Sequence, residues 1–371
     1  YAETGRYHYF TLPDRFNARK LPDVIIADMK QELRNGNSGS ISSVLYAELE
    51  ENLRRGEQSI LFLNRRGASK LVTCAECGAT YSCPNCSVSL TYHQGNQTLV
   101  CHHCGYRQRV DDRCPVCGGE LRFLGDGTER IEADVHALFP GVETLRMDAD
   151  AIAMAGTHEA LLQRFVRERI PIMIGTQMIT KGLNFENVTL VGVLNADSSL
   201  AMEDYRSNER TFSLITQVVG RAGRAAKAGM AVIQTFKPES EVIELCCRGD
   251  YEEFYEKEIE IRRAYIWPPF CDIVLLTLTA DNESDVIRCA EILCESFKKK
   301  AQALLEDTPV IAYGPFEAPV FKLNEKYRMR MVIKTKLNKR SRELFSSLLQ
   351  EFCKGGAASV SLSVDFNPSS V

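Results

Sequence analysis

The chain has 371 residues, of which 44% are hydrophobic and 25% are charged, a globular composition with room for two or three domains. Its formal charge of -4 gives no overall cationic field, so contact with nucleic acid would depend on local patches. No apolar run approaches about 18 residues, and the start has neither a signal-peptide pattern nor an initiating Met. We therefore expect an excised, soluble, cytoplasmic fragment with no membrane partner.

A helix and a buried strand are the first clear elements of the chain. The stretch VLYAELEENLRRGEQSILFLNRRGAS predicts a helix, a glycine-containing turn and a strand from Ser59 to Leu63. The strand ends in Asn64-Arg65-Arg66-Gly67. An entirely apolar strand is typical of the interior of a sheet.

Eight of the fourteen cysteines follow as a cluster. They form four C-x-x-C pairs, Cys74/Cys77, Cys83/Cys86, Cys101/Cys104 and Cys114/Cys117, with five, fourteen and nine residues between them. Two residues between thiolates let one turn present both sulfurs to one ion, and zinc binds four such ligands as a tetrahedron. We therefore predict two zinc ions. The alternative, disulfides in a secreted domain, is disfavoured by the missing secretory signal and by C-x-x-C geometry.

Three pairings of the four C-x-x-C pairs are possible. The fourteen-residue spacer is close to the zinc-ribbon range and predicts a hairpin that turns at Gly95-Asn96, which one zinc would close. The outer pairs would then share the other ion in a nested arrangement. His102 and His103 could substitute as ligands, but we expect them to be bystanders because cysteines occupy every expected place.

The cysteine-rich segment is predicted to depend on its metals. A segment of about 45 residues buries too little surface to fold alone, so zinc is expected to fold it. Eight thiolates on two divalent ions make it net negative despite three arginines at 107–113, so it is not an electrostatic DNA clamp. Tyr81, Tyr92 and Tyr106 could stack on bases or on a partner, or pack over the zinc sites.

Helices and apolar strands alternate after the cysteines. A helix is predicted to begin near Thr128, and strands follow in VETLRMDAD, PIMIGTQ, VTLVGVLNAD and, after a helix from about Asn208 to Ala226, GMAVIQTF. Unbroken apolar strands that alternate with helices are typical of a parallel sheet covered on both faces. The zinc segment is therefore predicted to be an insertion in an α/β domain.

Two strand-end segments carry the predicted chemistry. GTQMITKGLNF leaves a strand at Gly175-Thr176 and reaches Lys181-Gly182, a lining suited to phosphates or a nucleic-acid backbone. In QVVGRAGR, Gln217, Arg221 and Arg224 fall at i, i+4 and i+7, on one face of a helix.

The glycines of QVVGRAGR, Gly220 and Gly223, would permit a close backbone approach beside that face. Two guanidiniums and an amide directed at one place suit the γ-phosphate of a nucleotide. The alternative is an ion-paired surface helix, which would hardly place two glycines in its middle.

From about residue 241 the pattern changes to a β-α-β-β-α-β order, the split ferredoxin-like arrangement. Its predicted elements are DIVLLTLTA, SDVIRCAEILCESFKKKAQAL, VIAYGPF, YRMRMVIKTK, RSRELFSSLLQEF and SVSLSVDF. Arg328, Arg330 and Lys334 alternate onto one strand face, with Lys322 and Lys326 upstream. This row is either a track for DNA phosphates or a solvated face.

These residues resemble the second motor lobe of superfamily 2 helicases, and specifically the PriA (primosomal protein N′) family of replication-restart helicases. The matching stretches are FLNRRG, the four C-x-x-C pairs, GTERIEADVHALFPGVETLRMDAD, IGTQMITKGLNFENVTLVGVLNADSSL, TQVVGRAGRA and WPPF. The resemblance implies an α/β RecA-like second lobe with a parallel sheet, an inserted two-zinc subdomain and a C-terminal α+β ferredoxin-like domain. We expect lobe residues at 1–73 and 119–240, the zinc insert at 74–118 and the C-terminal domain at 241–371.

The resemblance also implies roles for particular residues. Gln217, Arg221 and Arg224 would contact ATP across the cleft between two lobes, and Gly175, Thr176, Lys181 and Gly182 would couple nucleotide to DNA. The nested pairing would place Cys74, Cys77, Cys114 and Cys117 on one zinc and Cys83, Cys86, Cys101 and Cys104 on the other, in agreement with the spacing.

The implied activity is that of an ATP-dependent 3′-to-5′ DNA helicase that recognises stalled or abandoned replication forks and initiates primosome assembly. Its partners would be forked or single-stranded DNA, primosome proteins and single-stranded DNA-binding protein. No G-x-x-x-x-G-K-[ST] loop or D-E-x-H-type motif occurs, so a missing first lobe would bind most of ATP and Mg²⁺, and this chain alone should be inactive. The alternative is a zinc-dependent nucleic-acid- or protein-binding scaffold without motor activity, against which the Gln217–Arg224 face argues.

Overall fold

The computed structural model describes residues 2, 4–10, 22–63, 71–74, 76–77, 79–86, 88–93, 98–101, 104–124, 127–148, 151–152, 157–176, 179, 185–200, 204–223, 229–305, 308–354 and 359–370. Strands β1 to β15 span, in chain order, Asp23–Asp28, Gln58–Leu63, Leu71–Cys74, Thr91–His93, Thr98–Val100, Arg107–Arg109, Leu121–Leu124, Thr144–Met147, Ile172–Gly175, Val188–Leu194, Met230–Thr235, Asp272–Ala280, Ile311–Leu323, Lys326–Thr335 and Val360–Phe366. Helices α1 to α10 span Met29–Arg34, Ser43–Arg54, Thr128–Leu138, His158–Arg167, Asp197–Leu200, Ser207–Val219, Glu241–Arg248, Tyr251–Ala264, Glu283–Leu304 and Lys339–Lys354. Among the described residues, no helix has the length and apolar character needed to cross a membrane.

The chain divides into two compact units. The first comprises Tyr1–Arg66, Ile131–Leu200 and Thr211–Tyr251, and the second comprises Gly67–Arg130, Ala201–Arg210 and Glu252–Val371. The cysteine-rich segment thus belongs to the same unit as the C-terminal sheet. The bounds of the four segments expected from the sequence stay predictions.

The first unit contains a six-stranded sheet in the order β1-β11-β10-β2-β9-β8, and every neighbouring pair is parallel. All residues of β2, β9 and β10 are buried, as their unbroken apolar sequences predict. Helices α2 and α3 contribute Leu45, Leu49, Ile131 and Val135 to the core on one face. The predicted parallel α/β fold is confirmed.

Strand β1 was not expected from the sequence. Its residues DVIIAD begin and end with aspartate, so the apolar stretch is too short to indicate a buried strand. It lies at the edge of the sheet and pairs with β11, with Asp23 opposite Met230.

The second unit contains an antiparallel four-stranded sheet in the order β13-β14-β12-β15. Helices α9 and α10 pack against its apolar face, which confirms the predicted β-α-β-β-α-β arrangement. Strand β13 is longer than predicted, because the ladder resumes at Lys322 after an irregularity that follows Glu317 and continues to Leu323. An earlier irregularity lies between Tyr313 and Phe316. Gly314 has a φ of 101° there, a conformation that glycine adopts at little cost.

The cysteine-rich segment forms two small antiparallel sheets, β3-β7 and β4-β5-β6. Strands β4 and β5 pair in the register that the predicted hairpin requires, with Thr91 opposite Val100. The predicted turn at Gly95-Asn96 lies outside the described residues.

Candidate metal centres and nucleotide-binding motif

All four C-x-x-C pairs fold into the same turn. In each, the N–H of the first cysteine donates to the carbonyl oxygen five residues later: Cys74 to Ala79, Cys83 to Val88, Cys101 to Tyr106 and Cys114 to Gly119, at 2.8–2.9 Å. Gly105 and Gly118 follow the second cysteine of their pairs and both have a φ of 75°, as the glycines after cysteine predict. Gly78 lies outside the described residues.

The turns bring the eight cysteines together as two groups of four. One group is Cys74, Cys77, Cys114 and Cys117, the other is Cys83, Cys86, Cys101 and Cys104, and within each group all sulfurs lie within 4.8 Å of one another. Within each group, sulfurs from its two different C-x-x-C pairs lie close together. Their separations are 3.4 Å (Cys74–Cys117), 3.7 Å (Cys77–Cys114) and 3.5 Å (Cys83–Cys104).

These distances test whether the groups fit zinc. A tetrahedral ion with Zn–S bonds of about 2.3 Å separates its sulfurs by about 3.8 Å, close to the spacing in both groups. The sets are those of the nested pairing expected from the sequence. Two Cys₄ clusters therefore fit zinc binding. We call the cluster that begins at Cys74 the outer cluster and the one that begins at Cys83 the inner cluster.

The two clusters differ in exposure. In the outer cluster Cys77 and Cys117 are exposed, whereas in the inner cluster Cys83, Cys86 and Cys101 are buried. Burial raises the pKa of the Cys83 thiol to about 12. A donated backbone N–H from Cys77 helps to lower the pKa of Cys74 to about 6. The outer cluster is thus the more solvent-accessible of the two.

The three tyrosines of this segment pack over the inner cluster. Tyr81 is buried and donates a hydrogen bond to Asp111 at 2.8 Å, while Tyr92 and Tyr106 pack against the same apolar group of residues. Burial and the Asp111 carboxylate raise the pKa of Tyr81 to about 12. Of the two alternatives, packing describes these tyrosines. His102 and His103 lie outside the described residues, so their bystander role stays a prediction.

The QVVGRAGR segment does not form a helix to Ala226, and that prediction is wrong. Helix α6 ends at Val219, and a turn follows in which the Arg221 N–H donates to the Val218 carbonyl. Gly223 has a φ of 67° and donates its N–H to the carbonyl of Val188, the first residue of β10, at 3.0 Å. Glycine adopts this left-handed conformation at little cost, and here it places the end of the turn against β10.

Only part of the expected nucleotide-contacting set is described. Gln217 is exposed in the last turns of α6 and donates to Ser213 at 3.2 Å, whereas Arg221 lies half-buried beyond the helix end. The two side chains therefore do not share a helical face. Arg224 lies outside the described residues.

A further glycine of this turn was missed by the sequence reasoning. A Cβ at Gly229 would lie 2.6 Å from the Ala222 carbonyl carbon and 2.7 Å from the Gly223 nitrogen. The chain entering β11 thus packs backbone against backbone on the turn that carries Arg221. A glycine followed by an apolar strand is a weak signal, and its packing partner is not readable from the sequence.

The other motif begins at the carboxyl end of β9. A Cβ at Gly175 would lie 2.6 Å from the Met147 carbonyl oxygen, so only glycine fits, and half-buried Thr176 follows. Its other two expected members, Lys181 and Gly182, lie outside the described residues.

The two motifs lie at opposite ends of the strands of the parallel sheet, the Gly175 motif at the carboxyl end of β9 and the Arg221 turn at the amino end of β10. Gly175 pairs with Phe62, and Phe62 with Val193, whereas the Arg221 turn is bonded to Val188 at the start of the same strand. Five residues of strand correspond to about 16 Å. Sequence reasoning did not separate the motifs in this way, because it leaves the direction of each loop open.

The expected row of basic residues on β14 is interrupted. Lys334 is only 4% exposed, donates to the Tyr265 carbonyl at 2.9 Å and lies 3.4 Å from the centroid of the Trp267 ring. Burial lowers the pKa of this lysine. Lys334 therefore packs inside the second unit and does not extend a track of solvent-facing cations.

Three family models match separate parts of the chain. Residues 83–109 match "PriA DNA helicase Cys-rich region (CRR) domain", residues 127–226 match "Helicase conserved C-terminal domain", and residues 263–369 match "Primosomal protein N C-terminal domain". These matches correspond, in the same order, to the cysteine-rich segment, to the part of the parallel sheet that carries both motifs, and to the C-terminal sheet.

Similar full sequences carry the name Replication restart protein PriA. The Bacillus subtilis (strain 168) protein is 41% identical over 369 residues, which cover 99% of this chain and 45% of that protein. The Synechocystis protein is 39% identical over 88% of this chain and 39% of its own length, and the Rickettsia felis protein 37% identical over 89% and 50%. The chain spans half the length of these relatives or less. The chain thus belongs to the PriA family of replication restart proteins and corresponds to the carboxyl-terminal part of its relatives.

Proposed function

We propose that this chain is the carboxyl-terminal part of an ATP-dependent 3′-to-5′ DNA helicase that recognises stalled or abandoned replication forks and initiates primosome assembly. One structural observation supports the motor role beyond the family match. Arg221 lies in a turn held to the amino end of β10 in the parallel sheet by the Gly223 N–H. A fixed turn suits an arginine that reaches a nucleotide bound by a neighbouring lobe.

In this proposal Gln217, Arg221 and Arg224 contact ATP across the cleft between the two lobes. The guanidiniums stabilise negative charge on the transferring phosphate, and an arginine in that role accelerates transfer by roughly 10³–10⁵. A first lobe, absent from this chain, would supply the phosphate loop, its lysine and the Mg²⁺ ligands. The chain by itself is therefore expected not to hydrolyse ATP.

Gly175, Thr176, Lys181 and Gly182 are proposed to couple nucleotide turnover to DNA. The separation of about 16 Å along the strand direction between Gly175 and the Arg221 turn supports a division in which each motif contacts a different ligand. Glycine at 175 lets the backbone pack closely against the Met147 carbonyl oxygen, which fixes the start of the loop that carries Thr176.

The eight clustered cysteines are proposed to hold two Zn²⁺, the outer cluster through Cys74, Cys77, Cys114 and Cys117 and the inner cluster through Cys83, Cys86, Cys101 and Cys104. Each ion joins two turns that are distant in sequence and so fixes the cysteine-rich segment. The segment is proposed to help engage forked or single-stranded DNA, primosome proteins and single-stranded DNA-binding protein, in the cytoplasm.

The proposal is tested with the longer protein that includes a first motor lobe, by measuring DNA-stimulated ATP hydrolysis and fork unwinding. Arg221→Ala should lower turnover by at least a hundredfold while fork binding changes little, because the guanidinium acts on the phosphate and not on DNA. The matched control is Arg167→Ala, which removes an arginine that is 79% exposed and paired with Glu168. The control should leave both activities unchanged.

Two outcomes would contradict the motor role. Normal turnover in Arg221→Ala would remove the arginine from the reaction. Absence of any DNA-stimulated ATP hydrolysis in the longer wild-type protein would favour the binding scaffold.

A further inference from the structure

The hairpin that joins β13 to β14 ends in a two-residue turn, Asn324-Glu325. Both residues have positive φ, 52° and 64°, the backbone of a tight two-residue hairpin turn. Neither residue is glycine and both are exposed. Positive φ carries a steric cost for residues other than glycine, and more for Glu than for Asn. The contacts of this turn must therefore stabilise it.

The turn contacts the knuckle Pro84–Cys86 of the inner cluster at three successive residues. The Asn324 N–H donates to the sulfur of Cys86 at 3.2 Å, and the Glu325 N–H donates to the Asn85 carbonyl at 2.7 Å. The Lys322 ammonium donates to the Pro84 carbonyl at 3.4 Å. The turn is thus placed by backbone amides as well as by a side chain.

An apolar contact accompanies these hydrogen bonds. Leu323 packs against the buried group that surrounds the inner cluster, which includes Cys83, Cys86 and Leu90. Cys86 is 1% exposed, so its sulfur has little access to water as an alternative hydrogen-bond donor. The Asn324 amide therefore supplies a donor that solvent does not replace.

The outer cluster has a different environment. Its sulfurs receive amides from their own knuckles: Cys74 from Glu76 and Cys77, Cys114 from Val116, and Cys117 from Gly119. The donor to Cys86 comes instead from 238 residues further along the chain.

We propose that the turn Leu323–Lys326 is an outer-sphere part of the inner zinc centre. Zinc in the inner cluster then holds the turn, and with it the C-terminal sheet, in place, and the turn slows the loss of zinc. N–H donors to a metal-bound thiolate orient the ligand and stabilise its negative charge. Strand β14 begins at Lys326, so zinc in the inner cluster would fix the start of the strand that carries Arg328 and Arg330. The inference rests on the proposed zinc binding and adds a structural partner to it.

Hydrogen exchange on the zinc-loaded chain tests the first half of the inference. Cys104→Ser should lose one zinc and raise exchange of the Asn324 and Glu325 amides by about tenfold or more, because their acceptors become disordered. Cys117→Ser should also lose one zinc but leave those two amides unchanged. Unaltered exchange in Cys104→Ser, or an equal rise in both variants, would overturn the inference.

Zinc release to a chelator tests the second half with a variant that keeps all ligands. Lys322→Ala/Leu323→Ala should start with two zinc ions and release the inner one several-fold faster than wild type. Glu325→Gly is the control, since it keeps the amide donor and relieves the positive φ, and its release should not accelerate.

The two proposals fail in different ways. A wild-type chain without zinc would refute the metal assignment and the inference with it. Two zinc ions with identical release from the double variant and wild type would refute the inference alone.

Discussion

At the scale of single residues, Gly223 determines the path of the chain around Arg221. Gly223 has a φ of 67°, in the left-handed region, and in this conformation it donates its hydrogen bond to Val188. Alanine carries a steric cost in the same conformation. We expect Gly223→Ala to lower the free energy of unfolding by about 1–2 kcal/mol. In the longer protein it should also lower ATP turnover, because Arg221 is displaced.

Gly249→Ala is the matched control for Gly223→Ala. Gly249 ends α7 with a φ of 65°, so it carries the same backbone cost away from the motif. It should lose similar stability by urea unfolding and keep normal turnover. Equal turnover in both variants would show that the turn at Gly223 does not position Arg221.

Lys334 gives a second prediction at this scale. Because its ammonium lies over the Trp267 ring and donates to Tyr265, Lys334→Ala should lower the free energy of unfolding by about 1–3 kcal/mol. Lys326→Ala, which alters a side chain that is 56% exposed, should change stability by less than about 0.5 kcal/mol. Urea unfolding of the zinc-loaded chain distinguishes the two. Equal stability of both variants would mean that the Lys334 contacts contribute nothing.

Residues whose partners are close in sequence could be predicted, and those with distant partners could not. The C-x-x-C turns close within five residues, so their glycine and cysteine positions are readable directly. Lys334 alternates with arginines like a solvent-facing cation, yet its partner Tyr265 lies 69 residues earlier. Nothing in the local pattern distinguishes a buried lysine from a solvated one.

At the scale of elements, the two clusters should release zinc in a fixed order. We expect two zinc ions per chain, and faster loss from the outer cluster, because Cys77 and Cys117 are exposed while Cys86 and Cys101 are 1% exposed. Chelator titration with elemental analysis should therefore show two phases. Outer-cluster cysteines should become reactive to thiol reagents first.

Cys101→Ser isolates the phase that belongs to the inner cluster. The variant should bind one zinc and retain only the fast phase of release. Two bound zinc ions in this variant would contradict the proposed ligand set, and a slow phase that persists would contradict the order of release.

Element types were more predictable than element ends. The buried strands β2, β9 and β10 are readable because each is made mostly of apolar residues. The end of α6 was missed because the turn that follows Val219 is held by a contact distant in sequence, the hydrogen bond that the Gly223 N–H donates to the Val188 carbonyl. Strand β13 was predicted to end at Phe316, whereas its ladder resumes at Lys322 after an irregularity that follows Glu317, and the local sequence does not indicate this continuation.

At the scale of the whole molecule, the two compact units should respond differently to loss of metal. The core of the first unit contains apolar side chains from α2, α3 and the parallel sheet and no cluster cysteine. Chelation should therefore abolish amide protection at 71–124 while β2 and β10 keep theirs. Hydrogen exchange with and without chelator measures both regions in one sample.

Loss of protection in β2 and β10 on chelation would contradict this independence. The control is a chain that is first treated with the chelator and then reloaded with excess zinc. Its protection should match that of the untreated chain.

The edge pairing of β1 with β11 has a consequence for how the chain acquires its fold during synthesis. Asp23 pairs with Met230, so the partner of β1 leaves the ribosome about 200 residues later, a delay of about 10–40 s at typical rates of translation. During that interval β1 has no ladder to join, and the aspartates at its ends disfavour pairing with other chains. The first strand of this sheet in chain order is thus among the last to be incorporated, and the sheet is completed only after Met230–Thr235 has been synthesised.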